Sequence, residues 1–186
     1  SAALSFTILS WEVPGKLSYA DVIYGTSAGV ATLTFNRPDK LNALNGSLLQ
    51  EAAEAVEEAG RDDAVKALIV TGAGRGFCSG ADLAARGSGP TGYPGTGRRD
   101  FLTPFGGYGR LVLSLRSIPK PSIAAVNGLA FGGGFSLALC CDMILASDKA
   151  TFSAIFVRRG LVPDMGLTYL LPRLIGTPKA CELMFT

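Results

Sequence analysis

The stretch from Ser122 to Asp142, SIAAVNGLAFGGGFSLALCCD, limits what this chain can fold into more than any other. Ser122 to Val126 is a short apolar run with β-branched residues, and Gly132, Gly133 and Gly134 stand directly before an apolar block free of turn residues. The order is strand, glycine turn, buried helix. A tight turn that opens a helix leaves backbone N–H groups without partners and sets the positive end of the helix dipole behind them. Without Cβ atoms a ligand can come close. Such a turn can hold a negatively charged oxygen, or the glycines can simply let a helix pack tightly on a sheet. The local sequence leaves both open.

The rest of the chain narrows the chemistry. At 186 residues, 48% of them hydrophobic, it is long enough for one domain with its own core and short for two. A net charge of +2 with mixed signs and no Lys/Arg cluster argues against nucleic acid or an anionic membrane as partner. No apolar run reaches bilayer length and no basic-then-apolar leader opens the chain, so the expectation is a soluble, cytoplasmic protein. Cys78, Cys140, Cys141 and Cys181 lack metal-ligand spacing and the sequence has no His, so no metal is expected and reduced thiols fit a cytosolic setting. The lack of His also removes Ser-His and Cys-His schemes, leaving carboxylates, Lys, Tyr or Cys for acid/base work.

Along the chain, 1–18 is a weakly patterned N-terminal extension. Val22-Ile23 and Val30 to Phe35 read as a hairpin around Gly25-Thr26-Ser27, followed by a loop at 36–40. Ser47 is placed to cap a helix with apolar positions Leu48, Leu49, Ala52, Ala55, Val56 and Ala59, a solvated face of Glu51, Glu54, Glu57 and Glu58, and a stop at Gly60. Ala67 to Thr71 reads as a buried strand. Gly72 to Gly80 is a glycine-punctuated loop into Ala81-Asp82-Leu83, a second place where backbone N–H groups face outward beside a strand end. The stretch 84–106, rich in Gly and Pro with Arg86, Arg98 and Arg99, is a binding loop or a surface excursion. Tyr108 to Ile118 marks a helix ended by Pro119 and Pro121, and Met143 to Ala146 another strand.

Asp164 is a lone carboxylate among apolar residues, either a cap for the helical block Leu167 to Leu174 or a functional acid. Thr177-Pro178 opens a final helix of about two turns, marginal unless something packs on it, so the sequence is expected to stop short of its natural end. The alternation of strands and helices predicts an α/β fold, with ligands bound where strand ends and glycine turns meet, at the loops around Gly80 and Gly133.

Three stretches taken together, NRPDKLNAL at 36–44, RGFCSGADL at 75–83, and NGLAFGGG with Cys141-Asp142 inside 127–142, resemble the crotonase (enoyl-CoA hydratase/isomerase) superfamily. The resemblance runs from about residue 20 to the end. It implies a spiral of ββα units over 19–176, with 177–186 beginning a C-terminal helical region that is largely missing. It also implies an acyl-CoA thioester as the small-molecule partner, no cofactor beyond the CoA of that substrate, and a homotrimer or homohexamer. By position, Ala81 and Gly133 would supply the two N–H donors of an oxyanion hole, and Lys40, Ala43, Ser79, Ala81 and Leu83 would line the CoA path.

Hydratases of this superfamily use two glutamates, and the matching positions here are Ser136 and Phe156. Asp164 instead matches the acid of phenylacetate-degradation-type and Δ3,Δ2-enoyl-CoA isomerases. One base suits an isomerase, since a single carboxylate can remove a proton and return it two carbons away. Val162, Pro163, Met165 and Leu167 are expected to keep it dry and raise its pKa. The expected function is an enoyl-CoA isomerase with Asp164, Ala81 and Gly133 at its centre. The alternatives are a hydratase using another acid such as Asp82 or Asp142, an acyl-CoA hydrolase or dehalogenase with an acyl-aspartyl intermediate, and a non-catalytic acyl-CoA binder. Asp82 is expected to order its own loop and Asp142 to pin the following strand. Arg158 and Arg159 are either solvated or a contact for a CoA phosphate.

Overall fold

Alternation in Val30 to Phe35 puts Ala31, Leu33 and Phe35 on one face, and all three are fully buried. They belong to a computed structural model that describes residues 19–84 and 106–186. The expected N-terminal extension at 1–18 and the glycine- and proline-rich stretch at 85–105, with Arg86, Arg98 and Arg99, lie outside the described residues.

The hairpin forms between β1 (Val22–Ser27) and β2 (Val30–Phe35), but its turn is Ala28-Gly29, with φ of 48° and 79°. Gly25, Thr26 and Ser27 are strand residues paired with Thr32, Ala31 and Val30. A two-residue hairpin wants positive φ at both central positions, and Gly29 supplies one without strain. β2 then runs parallel to β3 (Ala67–Gly72), β3 to β5 (Ser122–Val126), and β5 to β7 (Met143–Ala146), giving a five-stranded sheet in the order β1-β2-β3-β5-β7.

A second, three-stranded parallel sheet joins β4 (Gly76–Cys78), β6 (Leu129–Phe131) and β8 (Thr151–Ser153) in that order. Three-residue runs are too short to show a period in the sequence, and only their pairing with distant partners makes them strands. With α1 (Gly46–Arg61), α2 (Gly106–Ser117), α3 (Gly133–Cys140) and α4 (Leu167–Ile175), the described chain runs strand, strand, helix four times and winds as the expected spiral of ββα units. Phe35 of β2 meets Phe77 of β4 edge-on, ring centres 5.6 Å apart, where the two sheets face each other.

The first helix, α1 (Gly46–Arg61), is capped by Asn45, whose side chain accepts from the Leu48 N–H at 2.8 Å. Ser47, the expected cap, lies inside the helix and donates to Glu51 instead. Gly60 is helical rather than a stop, with Arg61 the last residue. The acidic face is more engaged than a solvated face would be. Glu51 accepts the N–H groups of Ala20 and Asp21, and Glu57 accepts two bonds from Arg110 and one from Ser114, clamping α1 to α2. The Arg110 hydrogen bonds hold the Glu57 carboxyl below its ordinary pKa.

Every residue of α3 is buried, as a helix that is apolar on all sides but for Ser136 requires. At its far end Asp142 accepts the Ser122 N–H at 2.9 Å and the Ser122 hydroxyl at 2.8 Å. With its own N–H returned to Ser122 O and Oγ at 3.0 Å, it pins the start of the strand after it, β7, to that of β5, and the bonds from Ser122 lower its pKa. The last helix, α5 (Thr177–Phe185), packs on α4 and buries Ala180 and Met184 in a second cluster with Phe135, Phe156, Leu167 and Leu171. Among the described residues, no helix is long and apolar enough to cross a membrane.

The cysteines follow their burial. Desolvation pushes the thiols of Cys78 and Cys141 up to about 12 and that of Cys140 to about 11, whereas Cys181 is partly exposed. Since thiolate is the reactive form, titration of the native chain with an aromatic disulfide reagent is expected to label Cys181 promptly and the other three only on unfolding. Rapid labelling of more than one thiol in the folded chain would contradict this packing.

Candidate active site

The short run 41–44 lies against 79–82 with parallel pairing. Ser79 N–H donates to Leu41 O at 3.0 Å, Leu44 N–H to Gly80 O at 2.8 Å, and Asp82 N–H to Leu44 O at 2.9 Å. These bonds use the peptide groups on either side of Ala81, so the N–H of Ala81 itself points the other way, as alternation along an extended chain demands. Gly80 has φ of 91°, and a Cβ there would stand 2.8 Å from Phe131 O and 3.4 Å from Gly133 N. Only glycine lets this loop come so close to the start of α3.

That start is Gly132, with φ of 52° and ψ of −121°, followed by Gly133 as the first helical residue, with no side-chain cap. The Gly133 N–H is one of the donors a helix cannot satisfy internally. Among the described residues, neither the Ala81 nor the Gly133 amide has an acceptor. Leu44 and Met165 flank the second amide, for a Cβ on Gly133 would meet Leu44 Cδ1 at 3.0 Å and Met165 Sδ at 2.9 Å.

Met165 brings Asp164 with it. The Asp164 carbonyl accepts from Ser136 Oγ of α3 at 3.1 Å and from Leu167 N–H at 3.0 Å. The N-cap of α4 is Gly166, without a side-chain capping bond, so the capping role for Asp164 falls away. The expected dry surroundings are only half present. Leu167 is buried and Pro163 and Met165 partly so, but Val162 is 79% exposed and Asp164 is itself open to solvent. Protein crowding on its covered side still raises the Asp164 pKa by desolvation, against a smaller pull from a hydrogen bond of its own backbone.

Of the residues expected along a CoA path, Ala43 is buried, Ser79 and Ala81 are partly buried, and Lys40 and Leu83 are exposed. The pairing of 41–44 with 79–82 brings Ala43, Ser79 and Ala81 onto adjacent runs of chain, with Lys40 and Leu83 just beyond their ends. Asp82, an alternative acid, is buried and pairs with Arg37 at 2.9 Å while accepting the Ala84 N–H, so it orders this loop as expected. Ser136 and Phe156 are both buried, and Arg158 and Arg159 are exposed on a 3-10 turn at Ile155–Arg159. No cluster of His, Cys, Asp or Glu among the described residues could hold a metal.

Two contributors went unread in the sequence. Arg37 donates to Ala43 O at 2.5 Å besides its pair with Asp82, tying both sides of the loop. Asn42, fully buried with φ of 56°, accepts the Arg37 N–H and donates to Ala73 O and Gly76 O. The readable signal was an asparagine between Leu41 and Ala43, since Asn tolerates the left-handed region and carries its own donors.

The Gly80 loop and the turn that carries Asp164 thus both reach α3, the first beside Gly133 and the second through Ser136, and residues 25–186 match the family described as enoyl-CoA hydratase/isomerase. This chain belongs to the enoyl-CoA hydratase/isomerase family. It is similar to the 1,2-epoxyphenylacetyl-CoA isomerase of Escherichia coli (strain K12), with 45% identity over 155 residues, 83% of this chain and 58% of the relative. A probable enoyl-CoA hydratase of Rhodobacter capsulatus is 40% identical over 164 residues, covering 88% of this chain and 60% of its own length. Among solved structures, an enoyl-CoA hydratase from Mycobacterium avium subsp. paratuberculosis K-10 superposes with a TM-score of 0.77 at 35% identity, over 90% of this chain and 64% of that one. The fold is therefore the α/β crotonase fold of this family, and the chain spans about 60% of the length of these relatives.

Proposed function

We propose that this enoyl-CoA hydratase/isomerase family chain carries an isomerase-type site that moves a double bond in an enoyl-CoA thioester. The thioester oxygen sits between the Ala81 and Gly133 amides. The Asp164 carboxylate takes a proton from the carbon next to the carbonyl, the electron pair spreads through the double bond to the oxygen, and the same proton returns two carbons further on. The substrate leaves as the conjugated 2-enoyl thioester with no atom gained or lost. Two preorganised N–H donors suit the charge that develops on the oxygen, each worth about 3 kcal/mol in comparable sites. A raised Asp164 pKa makes it a stronger base once ionised.

One observation carries this reading: Asp164 is on the turn fastened to α3, while the positions of the two hydratase glutamates are Ser136 and Phe156. Asp82 is occupied by Arg37, and Asp142 binds Ser122 at the opposite end of α3. The test is to incubate the chain with a 3-enoyl-CoA and separately with a 2-enoyl-CoA. Conjugated thioester from the first and no 3-hydroxyacyl product from the second is the expected outcome. Hydration of the 2-enoyl substrate without migration in the other would overturn the reading in favour of a hydratase. The name of the Escherichia coli relative adds 1,2-epoxyphenylacetyl-CoA to the substrate panel. A homo-oligomer, trimer or hexamer, belongs to the same reading.

A further inference from the structure

Ser136 is fully buried on α3, one turn beyond Gly132. A serine inside a helix ordinarily turns its hydroxyl back to the carbonyl four residues before it. Here Oγ stands 3.3 Å from that carbonyl, Gly132 O, and 3.1 Å from Asp164 O. One hydroxyl carries one proton, so it serves one acceptor at a time. Gly132 O already receives the Ser136 N–H at 3.0 Å, and the shorter contact leads out of the helix.

The segment it reaches needs holding. Met165 and Gly166 are consecutive left-handed residues, with φ of 52° and 85°. A non-glycine residue in that region persists only where its surroundings over-determine it. The Leu167 N–H that also binds Asp164 O moves with the turn, so it cannot fix the turn to anything else. Among the described residues, the hydrogen bonds from α3 to this turn are that of Ser136 and a sulfur contact from Cys140 Sγ to Met165 O at 3.8 Å. The oxygen–oxygen bond is much the stronger of the two.

We propose that Ser136 is a positioning residue, whose hydroxyl fastens the Asp164 main chain to the helix that begins with the Gly133 amide and so fixes the base relative to the oxyanion donor. This rests on the isomerase reading above. The position that resemblance gives to a hydratase glutamate is used here to hold the remaining acid in register.

Ser136→Ala tests it cleanly. Asp164 O keeps the Leu167 N–H, Gly132 O keeps the Ser136 N–H, no buried group is stranded, and alanine suits a helix, so a merely structural hydroxyl would be missed by nothing. Two readouts are taken on the full chain. Hydrogen exchange at residues 165–167 is expected to quicken about tenfold while the amides of α3 keep their protection. In the 3-enoyl-CoA assay kcat is expected to fall about ten- to a hundredfold with KM unchanged, since a misplacement of about 1 Å can cost that much. Exchange within twofold of the parent overturns the tether, and quickened exchange with kcat unchanged overturns its role in positioning. A parent chain that turns over nothing sinks the isomerase reading, and the exchange result then decides the tether by itself.

Discussion

Asp164→Asn is expected to slow double-bond migration by about 10²- to 10⁴-fold, the usual worth of a positioned general base. Asparagine matches aspartate in shape and keeps the backbone bonds to Ser136 and Leu167, so what is removed is the basic oxygen alone. Stability moves the other way, and the sign follows from the pKa. The folded pKa of Asp164 is raised, mainly by desolvation, so the folded chain holds that proton more tightly than the unfolded one and loses stability as pH rises from the unfolded towards the folded pKa. Above the folded pKa the carboxylate is charged in both states and costs the fold something that asparagine does not. The variant should therefore melt in urea at the parent's midpoint or above. The parent's rate should rise with pH on a limb placed above an ordinary aspartate's, and that limb should vanish in the variant. Undiminished turnover in Asp164→Asn would remove this residue from the mechanism.

The second large effect is on the fold. A Cβ on Gly134 would stand 2.1 Å from Cys78 O and 2.8 Å from Cys78 C, which are main-chain atoms of β4. Gly134→Ala must push α3 off the small sheet. Alanine's advantage in a helix, about 1 kcal/mol over glycine, cannot offset that. A loss of at least about 3 kcal/mol is expected, large against the 5–15 kcal/mol of a typical domain, with poor soluble yield as its first sign. The control is Gly60→Ala on α1, where the new Cβ would meet Ile118 and Pro119 at the ordinary distances of 3.6 and 3.7 Å. That change should hold or raise the urea midpoint. Equal behaviour of the two variants would mean that α3 and β4 are not in this contact.

The helices and the long strands were legible because their information is local. The apolar spacing from Leu48 to Ala59 has the helical period, and Ala67 to Thr71 is a continuous apolar run. The small sheet was not legible, for Gly76–Cys78, Leu129–Phe131 and Thr151–Ser153 become strands only through one another. The cap on α1 was misread by two residues because Asn45 and Ser47 are both good capping types, and only the hydrogen bond to Leu48 chooses between them. At the site, Gly80, Gly133 and Asp164 stood out as glycine turns and a lone acid. The bond from Ser136 to Asp164 did not, because a serine in an apolar helix has a local explanation in its own Gly132 carbonyl, and its partner lies in a later turn of the spiral.

Ala81 and Gly133 each follow a strand of the small sheet, β4 and β6, and those strands are neighbours. Main-chain pairing of about 4.8 Å repeat therefore carries both loops to the same edge, and the Gly80 and Gly132 turns that leave it set the two amides without help from a side chain. On the isomerase proposal, residues around the mouth can drift to admit a longer, shorter or aromatic acyl group while the main chain keeps the two proposed donors in place. Diversity of substrate, on such a scaffold, comes without rebuilding the part that holds the charge.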